Sequence, residues 1–128
     1  MKPVIIIVDD EKNTREGLKD AFAGGKYKIL LADSGKKALE LFKKERIDIM
    51  LADLKMPGMD GIALMQKVKQ INPSTIFIIL TAYGTIETAV NAIHQGAYDF
   101  ITKPVNLDEL DILIKRSLSA RKMEMENV

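Results

Sequence analysis

The sequence predicts a single α/β domain in which a doubly wound parallel sheet of five strands carries five helices. Three observations favour this fold class. Short apolar runs alternate five times with longer amphipathic stretches. Several runs are almost uninterrupted Val, Ile, Leu and Met, which is typical of strands buried on both faces of a parallel sheet. The length, 128 residues, fits one domain around one core.

Each strand is predicted from an apolar run, and each helix from the amphipathic stretch that follows it. The predicted strands cover residues 4–8, 27–32, 47–52, 75–80 and 99–102. Between and after them, apolar residues recur at the three- and four-residue spacing of a helix face. In order, these stripes are Leu18 and Phe22; Ala38, Leu41 and Phe42; Leu64, Val68 and Ile71; Ile86, Ala89, Val90 and Ile93; and Leu110, Leu113, Ile114 and Leu118.

Turn and cap residues fall between these elements, as the alternation requires. Ser34 is placed to cap the second helix and Asn106 to cap the fifth. Turns are expected at residues 24–25, 57–58 and 72–73, where Gly, Pro and Asn are paired. Right-handed crossovers then give the doubly wound layout.

The composition excludes several classes of function. Nineteen basic residues against 18 acidic ones leave a net charge of +1, which gives no reason to expect direct nucleic-acid binding. The absence of cysteine excludes disulfides, thiol catalysis and cysteine-bound metal. The first apolar run stops at Asp9, too early for a signal peptide or a membrane span, and no later run is long enough. We therefore expect a cytoplasmic protein without a membrane segment.

Polar residues that could carry chemistry stand where the predicted strands end. Asp9 and Asp10 follow the first strand, Asp53 the third, Thr81 the fourth and Lys103 the fifth. Ligands of open α/β sheets bind beyond the carboxyl ends of the strands, so these side chains are expected to converge there. A single Asp in such a place is more often a turn residue or a helix cap. The joint placement at four strand ends is what favours a functional site.

Grouped carboxylates repel one another, and a divalent cation that prefers hard oxygen ligands would remove the conflict. Mg²⁺ suits such a site because it takes a few carboxylates and keeps several waters. Lys103 would add a further positive charge. Since aspartate can accept a phosphoryl group, and since phosphoryl transfer is mostly positioning and charge neutralisation, these residues predict a phosphoryl-transfer site.

The sequence resembles a known family over about residues 3 to 120. The segments that carry the resemblance are residues 6–11, 48–61, 80–84 and 96–104. The chain resembles the receiver domain of bacterial two-component response regulators, most of all receivers of enhancer-binding (NtrC-like) transcription activators. The resemblance implies a flavodoxin-like sheet of strand order 2-1-3-4-5. It also implies a receiver domain over residues 1–120, with residues 121–128 forming the end of the last helix or the start of a linker.

The resemblance assigns roles to the candidate residues. Asp53 is expected to be the phosphoacceptor. Asp10 and Asp53 are expected to ligate Mg²⁺ directly, with the backbone carbonyl of Lys55 as a third protein ligand. Asp9 is expected to act mainly through a metal-bound water.

The resemblance also implies a switch. Thr81 and Lys103 are expected to bind phosphoryl oxygens, and the peptide bond between Lys103 and Pro104 to be cis. Phe100 matches the switch aromatic and, having no hydroxyl, would signal by rotamer and packing. Their movement would change the face formed by the fourth helix, fifth strand and fifth helix.

The implied partners lie outside the chain. The one histidine, His94, is predicted to be a surface residue of the fourth helix, so a sensor histidine kinase or phosphotransfer protein must supply the phosphoryl group. A C-terminal output domain that regulates transcription is implied. A homodimer through the switch face stays open, because Ile112 is either its contact or a scattered surface isoleucine.

Two other functions are alternatives to a phosphorylated switch. One is a degenerate receiver that binds a partner without phosphorylation. The other is a flavin or nucleotide enzyme of the same topology, but neither G-x-G-x-x-G nor G-x-x-x-x-G-K-[ST] occurs in the sequence. The chain is therefore expected to be a regulatory domain, whose catalysis is limited to its own phosphorylation and dephosphorylation. Lys55 and Tyr83 are expected to tune the lifetime of the phosphorylated state.

Overall fold

The computed structural model describes residues 2–82 and 86–126, which form five strands and five helices in strict alternation. The strands are β1 (Val4–Val8), β2 (Lys28–Ala32), β3 (Ile49–Asp53), β4 (Ile76–Thr81) and β5 (Asp99–Thr102). The helices are α1 (Lys12–Ala21), α2 (Gly35–Lys44), α3 (Gly61–Ile71), α4 (Ile86–His94) and α5 (Leu107–Glu126). The predicted α/β class is confirmed.

The sheet is parallel throughout and has the order β2-β1-β3-β4-β5 that the resemblance implied. The chain first moves outward from β1 to β2 and then crosses back to β3, so β1 and β3 lie side by side. Their registers align Val8 with Ala52. The next residue of each strand path therefore arrives at the same edge of the sheet, which is where ligand sites of such folds form.

Two apolar clusters of the described residues cover the two faces of the sheet. Alternate residues of β1 point to opposite faces, so Ile6 belongs to one cluster and Ile5 and Ile7 to the other. Helices α2, α3 and α4 pack on the first face, while α1 and α5 pack on the second. Because both faces are covered, the central strands can be wholly apolar up to the residues at their ends.

Both predicted helix caps are present. The Ser34 hydroxyl accepts a hydrogen bond from the backbone N–H of Lys37 at 3.1 Å. The Asn106 side chain accepts one from the N–H of Glu109 at 3.0 Å. Each cap satisfies a donor that the first turn of the helix leaves unpaired.

The boundaries of three predicted strands shift by one or two residues. Strand β3 begins at Ile49, although the apolar run in the sequence begins at Ile47. The intervening Asp48 bonds the N–H of Val4 through its side chain at 2.8 Å. At the other end, Asp53 and Thr81 are the last residues of their strands, where the sequence pattern had placed them just beyond.

Among the helices of residues 2–82 and 86–126, none combines the length and apolar character needed to cross a bilayer.

Candidate functional site

Carboxylates from two adjacent strands meet at the carboxyl edge of the sheet. Asp9 and Asp10 directly follow β1, and Asp53 is the final residue of β3. Each of these three side chains offers an oxygen within 4.8 Å of the other two. Asp9 and Asp53 are buried, whereas Asp10 is exposed. We refer to Asp9, Asp10 and Asp53 as the carboxylate cluster, which the sequence analysis had predicted to converge.

Lys103 brings the positive charge that the cluster needs. Its Nζ lies 2.7 Å from Oδ2 of Asp9 and 3.1 Å from Oδ2 of Asp53, so one ammonium bridges the ends of β1 and β3. Lys103 follows the last residue of β5, and its N–H donates to the Thr81 carbonyl at 2.8 Å. The peptide bond to Pro104 is cis, as predicted.

Backbone donors hold the remaining oxygens of the two buried carboxylates. The N–H of Lys55 lies 3.3 Å from Oδ1 of Asp53, and the N–H of Glu11 lies 2.9 Å from Oδ1 of Asp9. Nη1 of Arg15 donates to the Asp9 carbonyl at 2.7 Å. Arg15 and Glu11 were not among the predicted site residues, because nothing in their spacing marks them apart from other polar residues of a first helical turn.

Gly61 lets the start of α3 press against the end of β3. Its N–H donates to the Leu54 carbonyl at 2.9 Å. A Cβ at this position would lie 2.5 Å from the backbone oxygen of Asp53 and 3.0 Å from Cα of Leu54. The preceding Asp60 caps α3 by accepting from the N–H of Ala63 at 2.8 Å. Gly61 therefore supports the site by its lack of a side chain, although it is not among the predicted site residues.

The predicted switch residues occupy neighbouring strands. Thr81 is wholly buried at the end of β4, and its hydroxyl contacts the Ala82 carbonyl at 3.3 Å. Phe100 in β5 is half-buried and packs on the apolar cluster beneath α2, α3 and α4. Lys55 is exposed beside Asp53. Tyr83, the other residue predicted to tune the site, lies outside the described residues.

Two further predicted surface positions are exposed. His94 is the last residue of α4 and is exposed, well separated in the chain from the strand ends that form the carboxylate cluster. Ile112 on α5 is 55% exposed. It lines a cavity of about 340 Å³ together with Asp99, Phe100, Glu109, Leu113 and Arg116, so it is adjacent to the predicted switch aromatic.

For both Asp53 and Lys103, burial and the charge of the ion-pair partner shift the pKa in opposite directions. Burial raises the pKa of Asp53 above its ordinary value, and the nearby Asp9 raises it further, although the hydrogen bond and charge of Lys103 act to lower it. Burial by itself would lower the pKa of Lys103, but its hydrogen bonds and charge interactions with Asp9 and Asp53 raise it overall. Lys103 is thus held charged, while the Asp53 anion is left with less stabilisation than water would give it.

This imbalance predicts how stability depends on pH when no divalent cation is present. Because the pKa of Asp53 is higher in the folded chain, the folded state binds more protons, and stability falls as the pH rises through the acid range. We expect Asp53→Asn to raise the urea midpoint at neutral pH in the presence of a chelator. The gain should disappear below the ordinary aspartate pKa of about 3.9. An equal or lower midpoint for the variant at neutral pH would contradict this expectation.

The same imbalance indicates that a cation fits the carboxylate cluster. Its donors are hard carboxylate oxygens from Asp9, Asp10 and Asp53, close enough to share one ion. Asp10 is open to solvent, so an ion bound there could keep some of its own waters. Oxygen donors in this number suit Mg²⁺ or a similar ion, which retains several of its own waters.

Known proteins share the sequence pattern of this chain. A family model described as the response regulator receiver domain matches residues 5–115. The regulatory protein AtoC of Escherichia coli strain K12 is 41% identical over 122 residues, which are 95% of this chain and 26% of that protein. The DNA-binding transcriptional regulator NtrC of the same strain is 37% identical over 116 residues, 91% of this chain and 25% of NtrC. The chain thus spans about a quarter of the length of these relatives.

Solved structures give the same match in three dimensions. NtrX from Brucella abortus, in complex with ADP, superposes with a TM-score of 0.93 and 31% identity, covering 98% of this chain and 29% of NtrX. A response regulator receiver domain protein from Clostridium thermocellum superposes with a TM-score of 0.89 and 29% identity, covering 94% of this chain and 98% of that protein.

Proposed function

The chain belongs to the response regulator receiver domain family, and on that premise we propose that Asp53 accepts a phosphoryl group and that the added charge switches a surface read by a partner. One observation carries the proposal. Asp53 ends β3 beside Asp9 and Asp10, and the Lys103 ammonium lies 3.1 Å from its Oδ2. A carboxylate, a cation-binding cluster and a fixed positive charge are the parts that phosphoryl transfer needs.

In the proposed reaction, an Asp53 carboxylate oxygen forms a bond to phosphorus while the bond between phosphorus and the donor nitrogen breaks. Asp53 is suited to this role because its carboxylate ends β3 at the edge of the sheet, beside the other two acidic residues and 3.1 Å from the Lys103 ammonium. A Mg²⁺ ion held by Asp10, Asp53 and the Lys55 carbonyl, with Asp9 acting mainly through a water on the ion, would neutralise charge on the phosphoryl oxygens. The Lys103 ammonium, 3.1 Å from Oδ2 of Asp53, would pair with one of these oxygens.

The phosphoryl group brings nearly two negative charges and new hydrogen-bond acceptors. Lys103 and Thr81 are the groups we propose to bind them, and the hydrogen bond between the Lys103 N–H and the Thr81 carbonyl couples the ends of β4 and β5. Phe100, in register with Ile79 of β4, lies on the same strand pair. Movement at this pair would alter the face formed by α4, β5 and α5, which is a population shift driven by the new contacts.

The phosphoryl donor is proposed to be a phosphohistidine of a sensor kinase or a phosphotransfer protein. The one histidine of the chain, His94, is exposed at the end of α4, and the described contacts of the carboxylate cluster do not include it, so the donor is proposed to come from another protein. We further propose that residues 1–120 form the receiver unit of a longer regulator of transcription. The support is that AtoC and NtrC, both named as regulators, are about four times as long as the part that matches.

The proposal is tested by incubating the chain with acetyl phosphate and Mg²⁺ and measuring its intact mass. We expect the gain of one phosphoryl group on the peptide that contains Asp53, and no gain when a chelator removes Mg²⁺, because the carboxylate cluster then repels the donor. Hydroxylamine should release the group, since an acyl phosphate is labile to this nucleophile. An unchanged mass under all conditions would instead favour a receiver that acts without phosphorylation.

A further inference from the structure

A second charged cluster lies at the opposite end of β3 from Asp53. The buried Asp48 side chain accepts a hydrogen bond from the N–H of Val4 at 2.8 Å through Oδ2. Nη2 of Arg46 lies 3.2 Å from the same oxygen. Nη2 of Arg121 lies 2.9 Å from Oδ1. The Asp48 carboxylate therefore joins β1, β3 and α5 through both of its oxygens.

Arg121, the α5 residue that pairs with Asp48, lies just after the apolar residues through which α5 packs on the sheet. Earlier in this helix, Leu110, Leu113 and Ile114 are buried in the cluster on the second face of the sheet. No described residue after Leu118 belongs to this cluster, and the apolar side chain of Met123 is 60% exposed. Burial of apolar surface therefore contributes little to the stability of this last part of α5. Electrostatic contacts contribute a larger share of what keeps it against the sheet.

The two arginines around Asp48 are not equivalent. The Arg46 side chain is 50% exposed, whereas that of Arg121 is 23% exposed and makes a further contact from Nη1 to the Asp48 carbonyl at 3.4 Å. Arg46 comes from the turn before β3, so its contact with Asp48 does not involve α5. Arg121 is the partner that crosses from α5 to the sheet, and Arg46 still pairs with Asp48 when Arg121 is removed.

We propose that the pair Arg121–Asp48 is a latch that fixes the direction in which the end of α5 leaves the domain. Opening it would free residues 119–126 while the sheet and the carboxylate cluster stay folded. The latch would thereby set the position of any segment or partner attached to the end of this helix. It does not depend on phosphoryl transfer at Asp53.

Amide hydrogen exchange of the whole chain tests the latch with three variants. Arg121→Met removes the pair and keeps helix propensity nearly unchanged. Arg46→Met removes the other arginine of Asp48, and Lys122→Met removes an exposed neighbouring charge. We expect exchange at residues 119–126 to accelerate about tenfold in Arg121→Met, between the effects of an exposed and a buried ion pair. Both control variants should leave these amides unchanged.

The amides of β4 separate local release from general destabilisation. They should keep their protection in Arg121→Met, because the latch holds only the end of α5. An equal loss of protection in β4 would overturn the proposal, as would an unchanged rate at residues 119–126. Acceleration of the same size in Arg46→Met would overturn it too, since that contact does not involve the helix.

Discussion

The variant Asp53→Asn is expected to gain no phosphoryl group from acetyl phosphate and Mg²⁺, whereas the parent chain gains one. Asparagine keeps the shape of the side chain but replaces the nucleophilic carboxylate oxygen with an amide and removes one charge from the cation-binding cluster. We expect the loss to be complete within the sensitivity of intact-mass measurement. Asp20→Asn, which changes an exposed carboxylate of α1, is the matched control and should take up the group like the parent.

The stability of Asp53→Asn shows whether a loss of phosphorylation comes from the missing carboxylate or from a failure to fold. Since Asp53→Asn is expected to raise the urea midpoint at neutral pH without divalent cations, absent phosphorylation in a stably folded variant points to the missing nucleophile. Label on the folded variant at the parent's level would refute the assignment of Asp53. Label on a different residue of both proteins would refute it as well.

The variant Gly61→Ala is expected to lose about 1–3 kcal/mol of unfolding free energy, as overpacking against an unyielding neighbour does. The new Cβ would lie 2.5 Å from the Asp53 carbonyl oxygen. That oxygen belongs to the backbone at the end of β3, which is held between β1 and β4 and cannot turn aside like a flexible side chain. Urea unfolding monitored by circular dichroism measures the change.

Gly17→Ala supplies the matched control for the same chemical change. No heavy atom lies within 4 Å of a Cβ built on Gly17, which is an exposed residue of α1. Alanine there should stabilise the chain by about 0.5–1 kcal/mol, because glycine is a poor helix residue. If Gly61→Ala were as stable as Gly17→Ala, the close approach of α3 to the end of β3 would be wrong.

Most of the fold could be predicted because each element has its own local signal. The helix caps at Ser34 and Asn106 and the apolar runs of β1 and β4 depend on neighbours in the sequence. The start of β3 was harder. Ile47 and Asp48 look like an apolar run with one interruption, and the sequence does not show that the Asp48 side chain contacts Val4 and Arg121 just before the strand begins at Ile49.

The principal site residues could be predicted for a different reason. Parallel strands deliver their ends to one edge, so Asp9, Asp53 and Lys103 were placed together without any distance being known. Arg15 and Gly61 were missed because their roles depend on how closely two elements approach. A Cβ clash is a property of packed backbones, and the sequence offers only the hint that an Asp before a helix, here Asp60, marks its first turn.

The hydrogen bond from Val4 and the ion pair with Arg121 mean that the first strand and the final helix meet on one aspartate. The protein is therefore suited to circular permutation. A bridge could join α5 to Lys2 from just beyond Arg121, and new termini could open in the exposed turn at Gly24 and Gly25. The permuted chain would begin at a different strand, and we expect it to bring the same site residues together at the carboxyl edge of the sheet.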